Sequence, residues 1–373
     1  MTKKKVLFLT IAFDTGGTEK VTFDIVSHLN PDKYDITLMS MYGGGYFESQ
    51  LPEYVHVKHF FPHFIRFVIR AVEYLPGRWI HKYFIRDKYD VEIACGDNHP
   101  SRIINCSPNK SSKKIAWIHM DVIERGYRGH GVKTTFGRKR FYKNFDKIVN
   151  VSKDCEKQFI KKFGDDLPTS VIYNPVDVDN IRKKAIEVPD IFLPEDAFNI
   201  VCMGRFTDQK GFDRLVDAYS QIKDKISRNV HITIIGDGFM RDDIQNMIDT
   251  NALSEVIELV GYHNNPYPIL NQADLFLLAS RDESFALVVA EAMVLGVPVM
   301  STRCTGPVEL LRDGEAGLLV ENSTEGIREG LLKVLTDEEY YAEMKSTAEK
   351  NRDNFDIGKT MKDIEELLDE NRN

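Results

Sequence analysis

The 373-residue chain is 42% hydrophobic and 28% charged, enough apolar material for a large core and, at roughly 100 to 200 residues per domain, for two domains. Its five cysteines, at 95, 106, 155, 202 and 304, are odd in number and show no Cys-x-x-Cys spacing, which fits neither a disulfide framework nor a zinc site and points to the cytoplasm. The formal net charge of -8 hides a split: residues 1–175 hold 28 Lys+Arg against 19 Asp+Glu, a balance of +9, which leaves -17 for the remainder.

In chain order, KVLFLTIAF follows three lysines in the manner of a signal peptide. Asp14 interrupts the stretch, however, and Gly16-Gly17 follows without a small-residue cleavage site, so it reads as a buried first strand. No apolar run approaches the ~18 to 20 residues of a spanning helix, and a soluble protein is expected. A helix from about Thr18 to Leu29 comes next, then the strands YDITLMSM, DVEIACG, KKIAWIH, KIVNVS and SVIYNP, making the first half an α/β unit. The second half repeats the alternation: FNIVCMG, a helix from about Phe212 to Ile226, VHITIIGDG, a helix through Met247, VIELVG, ADLFLLAS, a helix through Leu295, VPVMST and GLLV. Two doubly wound, Rossmann-like domains are expected, at 1–175 and 197–355. Residues 176–196, with Pro189 and Pro194, read as the linker, and a last helical pattern follows Phe355.

Cations and aromatics interleave in two stretches, PHFIRFVIRAVEYLPGRWIHKYFIR (62–86) and ERGYRGHGVKTTFGRKRFYKNFDK (124–147). Phe64, Phe67, Val68, Trp79, Tyr83 and Phe84 with Arg66, Arg70, Arg78, Lys82 and Arg86 have the make-up of an interfacial segment facing an anionic bilayer, though core-facing helices share the apolar spacing. No nucleic-acid motif accompanies the charge.

Open parallel sheets bind ligands beyond the carboxyl ends of their strands, and four such loops carry unusual residues. Gly16-Gly17 let the backbone approach a ligand where a helix N-terminus offers N–H groups to an anion; a tight turn without ligand is the plainer alternative. His119 ends the strand IAWIH, a position that is more often structural than catalytic. Arg205 and Lys210 share one strand-to-helix loop without a matching pair of acids and suit a diphosphate; an exposed basic loop is the alternative. The fourth loop, after ADLFLLAS, leads into a helix expected to begin near Phe285 or Ala286, so that the amides of Phe285, Ala286 and Leu287 can receive a phosphate. Glu291, inside that helix among apolar residues, would cost several kcal/mol to bury without donors, and the vicinal hydroxyls of a ribose supply them. Glu283, ahead of the helix, falls where a sugar attached to the diphosphate would lie. An acidic cap at Glu283 plus a buried salt bridge at Glu291 is the structural alternative.

These residues carry a family resemblance. Glu-x7-Glu (Glu283, Glu291), Gly204-Arg205 with Lys210-Gly211, Gly16-Gly17, His119, Tyr173-Asn174-Pro175-Val176-Asp177 and Gly236-Asp237-Gly238 resemble the retaining glycosyltransferases of family 4, of the bacterial surface-polysaccharide type. The resemblance implies the GT-B fold: two Rossmann-like domains facing across a cleft, an acceptor on the first, a nucleotide-sugar on the second, and a tail helix, 356–373, returning to the first. It implies that Arg205 and Lys210 bind the donor diphosphate, Glu291 the ribose, Glu283 and His119 the sugar, and that the loop GYHNNPY, 261–267, with Gly261 and Tyr262, lies near the base. Family members usually carry glycine after the first glutamate, where this chain has Ser284. No metal and no cofactor beyond a UDP-sugar co-substrate are implied, and a front-side route with retention follows. The expected acceptor is a lipid-linked saccharide at the inner face of a membrane, in assembly of a capsule or another surface polysaccharide. Competing readings are a metal-dependent transferase using Asp177-Val178-Asp179, a nicotinamide-dependent dehydrogenase lacking the glycine fingerprint, and a catalytically inert nucleotide-binding scaffold.

Overall fold

The structure, a computed structural model, describes residues 2–14, 16–64, 75–96, 99–119 and 135–371, with the side chains of Thr135 and Phe136 excepted. Arg66, Phe67, Val68, Arg70 and the stretch 124–134 of the second basic-aromatic segment lie outside the described residues. The chain divides into two compact units, Met1–Pro175 with Ile357–Asn373, and Val176–Asp356.

The first unit is built on a parallel sheet of β1 (Lys4–Thr10), β2 (Tyr34–Tyr42), β3 (Val55–Phe61), β4 (Val91–Cys95), β5 (Lys113–Ile118), β6 (Lys147–Asn150) and β7 (Thr169–Val171), in the order β3-β2-β1-β4-β5-β6-β7. The short apolar runs form its centre because strands covered on both faces need no polar alternation, and every residue of β4 and β5 is buried. β3 was not read from the sequence. It lies at the sheet edge, and its residues His56, Lys58 and His59 dilute the apolar pattern.

The helix Ile357–Asp369 belongs to this unit and buries Met361, Ile364, Leu367 and Leu368. Its last carbonyls, which have no partners within the helix, are met by ammonium groups: Lys113 Nζ donates to Leu367 O at 2.6 Å and Lys4 Nζ to Leu368 O at 2.8 Å. Lys33 adds an ion pair to Glu365 at 2.6 Å.

The second unit holds β8 (Phe198–Met203), β9 (Val230–Ile235), β10 (Ile257–Gly261), β11 (Leu275–Leu278), β12 (Val299–Thr302) and β13 (Leu318–Val320), in the parallel order β10-β9-β8-β11-β12-β13. One side of the sheet packs on Leu215, Ile244 and Leu331, the other on Ile269, Val289 and Met293.

The expected linker is corrected. Within 176–196 the chain forms a helix, Val178–Ala185, capped by Asp177, whose Oδ1 accepts from Asn180 N at 3.0 Å. Ile181 and Ala185 are buried, Arg182 Nη2 reaches Arg352 O at 3.0 Å, and Leu193 N reaches Gln272 Oε1 at 3.1 Å, so this stretch is packed into the second unit. Proline punctuation marked the change of unit but concealed the helix between. Asp177, the first residue of the Asp177-Val178-Asp179 pattern, is engaged as a helix cap. Among the described residues no helix is long and apolar enough to cross a membrane.

Candidate functional site

A doubly wound sheet opens a crevice beyond the two strands at which its order reverses. In the second unit these are β8 and β11. The loop after β8 carries Arg205 and Lys210, and the loop after β11 carries Ser280, Arg281 and Glu283, so the fold sets the two groups opposite each other.

A 3₁₀ turn, Asp208–Lys210, ends at Gly211, whose φ of +65° is left-handed and whose Cα faces Ala279 O so closely that an added Cβ would stand 2.2 Å from it. Glycine therefore lets this loop close on the neighbouring one. Ties across the crevice follow: Arg281 N donates to Gln209 O at 2.7 Å and Gln209 Nε2 to Asp282 O at 2.8 Å. The Arg281 guanidinium forks onto Asp213, with Nη1–Oδ1 at 2.9 Å and Nη2–Oδ2 at 2.6 Å. Burial alone would raise the Asp213 carboxyl, but the Arg281 fork together with the backbone amides of Asp213 and Arg214 holds the group below its usual range. Behind the loop, Thr302 Oγ1 and Cys304 Sγ both donate to Ser280 O, at 2.6 and 3.1 Å. Burial pushes the Cys304 thiol up to about 12, so it serves as a protonated donor.

Lys210 Nζ meets Glu283 Oε1 at 2.6 Å, and Ser280 Oγ donates to the same oxygen at 2.8 Å. This corrects the expectation that the loop cations lack a matching acid: Lys210 has one, supplied by the opposite loop. Arg205 is exposed and, among the described residues, its side chain makes no hydrogen bond or ion pair.

The helix after Glu283 runs Leu287–Val294 and so begins later than expected. Ala286 is left-handed, φ +64°, and Phe285 is buried in the loop, so of the three expected amides only that of Leu287 lies in the first turn. The first amides bonded within the helix are those of Val289 and Ala290, both to Ala286 O, which leaves Leu287 and Val288 N–H directed ahead of the helix. Glu291 is one turn beyond Leu287 on the same face. It is half-buried and accepts from Tyr267 Oη at 2.9 Å, so its carboxylate has a protein donor as well as any ribose. Gly261 ends β10 and half-exposed Tyr262 follows it, next to β9 and its turn Gly236–Gly238.

Gly16, Gly17 and His119 stand on the first unit, at the carboxyl ends of β1 and β5. Gly16 caps the helix Gly17–His28, and a Cβ there would lie 2.1 Å from Glu19 Oε2. The place expected for an anion is thus covered by the helix's own first-turn acid. His119 is half-buried, its ring nearly parallel to that of Trp117 at 6.4 Å, and desolvation lowers its imidazole to about 4. At neutral pH it is an uncharged hydrogen-bonding group. Sequence reasoning gave no role to Ser280, Arg281, Gln209 and Asp213, because nothing in the sequence shows which residue of a distant loop or helix each one meets. Among the described residues no group of three or more His, Cys, Asp or Glu could hold a metal ion.

Residues 15–180 match the family model Glycosyltransferase Family 4, and residues 183–351 match Glycosyl transferases group 1. Relatives include the lipopolysaccharide core biosynthesis glycosyltransferase LpsE of Rhizobium meliloti, 31% identical over 42% of this chain. Another is the N-acetylgalactosamine-N,N'-diacetylbacillosaminyl-diphospho-undecaprenol 4-alpha-N-acetylgalactosaminyltransferase of Campylobacter jejuni, 31% identical over 61% of this chain. The chain spans 45% and 61% of the length of these two relatives. Solved structures of the same fold include Anabaena HepE, bound to UDP and glucose, with a TM-score of 0.76 and 20% identity over 98% of this chain and 99% of that one. Sucrose-phosphate synthase from Thermosynechococcus elongatus gives a TM-score of 0.79 at 15% identity over 98% of both chains. Two glycosyltransferase models in succession, laid over two parallel sheets that match GT-B structures from end to end, leave one assignment: the chain belongs to the family 4 glycosyltransferases of the GT-B fold.

Proposed function

We propose that the protein is a retaining glycosyltransferase that moves a hexose or N-acetylhexosamine from a UDP-sugar to a lipid-linked saccharide in surface-polysaccharide synthesis. The observation that carries this is the pairing of Lys210 with Glu283 across the β8/β11 crevice, with Glu291 one turn into the adjoining helix. In this reading Arg205, Lys210 and the amides of Leu287 and Val288 hold the diphosphate. Glu291 and Tyr267 hold the ribose, and Tyr262 lies by the base. Charge develops on the departing diphosphate and on an oxocarbenium-like sugar, and the largest catalytic contribution is electrostatic stabilisation of that diphosphate. No protein nucleophile is used: a leaving phosphate oxygen takes the acceptor's proton. No metal is required.

The diphospho-undecaprenol in the Campylobacter relative's name and the UDP and glucose bound to HepE support the lipid-linked acceptor and the UDP-sugar. Docking at the inner face of a membrane is supported by the helix Gly77–Phe84, which exposes Trp79 at 67% and Tyr83 at 65% beside Arg78 and Lys82. Phe84 is not part of that face. It stacks on Phe60 at 4.4 Å and belongs to the packing of the first unit.

The test is calorimetric titration with UDP, GDP, ADP and NAD in chelator, for wild type and Glu291→Ala. UDP is expected to bind, and losing the charged acceptor at 291 to weaken it about tenfold or more. Binding of NAD alone, or indifference to Glu291→Ala, refutes the donor site.

A further inference from the structure

The ion pair that identifies the site also sets a competition within it. Lys210 Nζ is bonded to Glu283 Oε1 at 2.6 Å, with both side chains largely shielded, at 17% and 10% exposure. A diphosphate that recruits Lys210 has to draw it from a carboxylate, and it approaches a site whose own negative charge opposes it. Glu283 for its part is held by only two donors among the described residues, Lys210 Nζ and Ser280 Oγ, and both use Oε1. Its Oε2 takes no hydrogen bond from the described residues and remains open to a further donor. A buried carboxylate that loses its cation is costly unless other donors replace it.

We infer that Glu283 is a specificity-determining residue that makes the site prefer a complete sugar nucleotide to the nucleoside diphosphate alone. This rests on the donor-site reading above. A diphosphate without a sugar takes Lys210 and leaves Glu283 short of donors; a diphosphate carrying a sugar takes Lys210 and returns hydroxyl donors to Glu283. The free diphosphate left after transfer is then the poorer ligand, and Lys210 closing back on Glu283 helps expel it. The Ser280 hydroxyl keeps Oε1 in place throughout, so that the carboxylate need not be reordered between the two states.

The test uses UDP, which lacks the sugar, titrated into the full-length wild type, Glu283→Gln, Lys210→Met and the double variant. Glutamine keeps the shape and the acceptor oxygen of Glu283 but removes its charge. UDP is expected to bind Glu283→Gln about tenfold more tightly than wild type, and adding the same substitution to Lys210→Met should give little of that gain. Equal or weaker UDP binding by a Glu283→Gln protein that melts like wild type overturns the inference while leaving the donor site standing. If Glu283→Gln does not fold, Glu283→Asp, which withdraws the carboxylate by one methylene, should tighten UDP by a smaller factor, and unchanged binding there is equally decisive. Failure of wild type to bind UDP at all, by contrast, removes the donor-site reading itself.

Discussion

Arg281 is where the two loops of the site are fastened, and Arg281→Ala tests how much that fastening contributes. The substitution removes a bidentate pair with Asp213, at 2.9 and 2.6 Å, and a bond to Asp208 O at 2.6 Å. Both partners are partly solvated, at 33% and 26% side-chain exposure, so the full value of charge-assisted bonds has to be discounted. A loss of about 1–2 kcal/mol is expected. For a unit of this size that is a fall in melting temperature of about 3–6 °C. Arg281→Lys, which retains charge but not the planar fork, should fall between. UDP affinity should drop about threefold to tenfold, since the loop that carries Arg205 and Lys210 is then held less firmly beside the amides of Leu287 and Val288. The Asp213 carboxyl is depressed in the folded protein, so its contribution is present above the ordinary aspartate range and disappears as pH falls through the depressed value. The gap in stability between wild type and Arg281→Ala should accordingly be full near pH 7 and close in strong acid. Thermal melts with paired calorimetry make the measurement. An Arg281→Ala protein that melts within a degree of wild type at pH 7 refutes the account of the loop tie.

Two further expectations concern the first unit. Lys113→Ala strips the donor from Leu367 O and Glu370 O and should cost about 1–3 kcal/mol, visible as faster hydrogen exchange along Ile357–Asp369; unchanged protection there contradicts the capping role. Arg78→Ala with Lys82→Ala should lower the partition constant onto phosphatidylglycerol vesicles, read by sedimentation, roughly thirtyfold at low salt, taking ~1 kcal/mol per cation, and the difference should shrink as salt rises. Equal sedimentation of mutant and wild type counts against docking through this helix.

The sequence revealed the parallel sheets because fully covered strands such as KKIAWI and FNIVCM are continuous apolar runs, and it hid β3 because an edge strand need not be. It singled out Arg205, Lys210 and Glu283 because they sit on loops at strand ends, and Glu291 because a carboxylate among the apolar residues of a helix needs donors. What it did not show is which charges meet. The loops after β8 and β11 are 73 positions apart at Lys210 and Glu283, and only the strand order, which puts β8 beside β11, makes them neighbours. The same blindness explains the helix start: Ala286 looks like a helix former, and its left-handed φ is imposed by the turn that buries Phe285.

Because the helix Ile357–Asp369 closes the first unit, the two halves of the protein finish in the reverse of the order in which they begin. Val176–Asp356 is one unbroken stretch and has all its strands once Asp356 has left the ribosome. The first unit, started earlier, must wait with the ammonium groups of Lys4 and Lys113 uncommitted until Leu367 and Leu368 emerge. A premature stop or a protease cut just ahead of Ile357 therefore injures the N-terminal half of the molecule and spares the half next to the break.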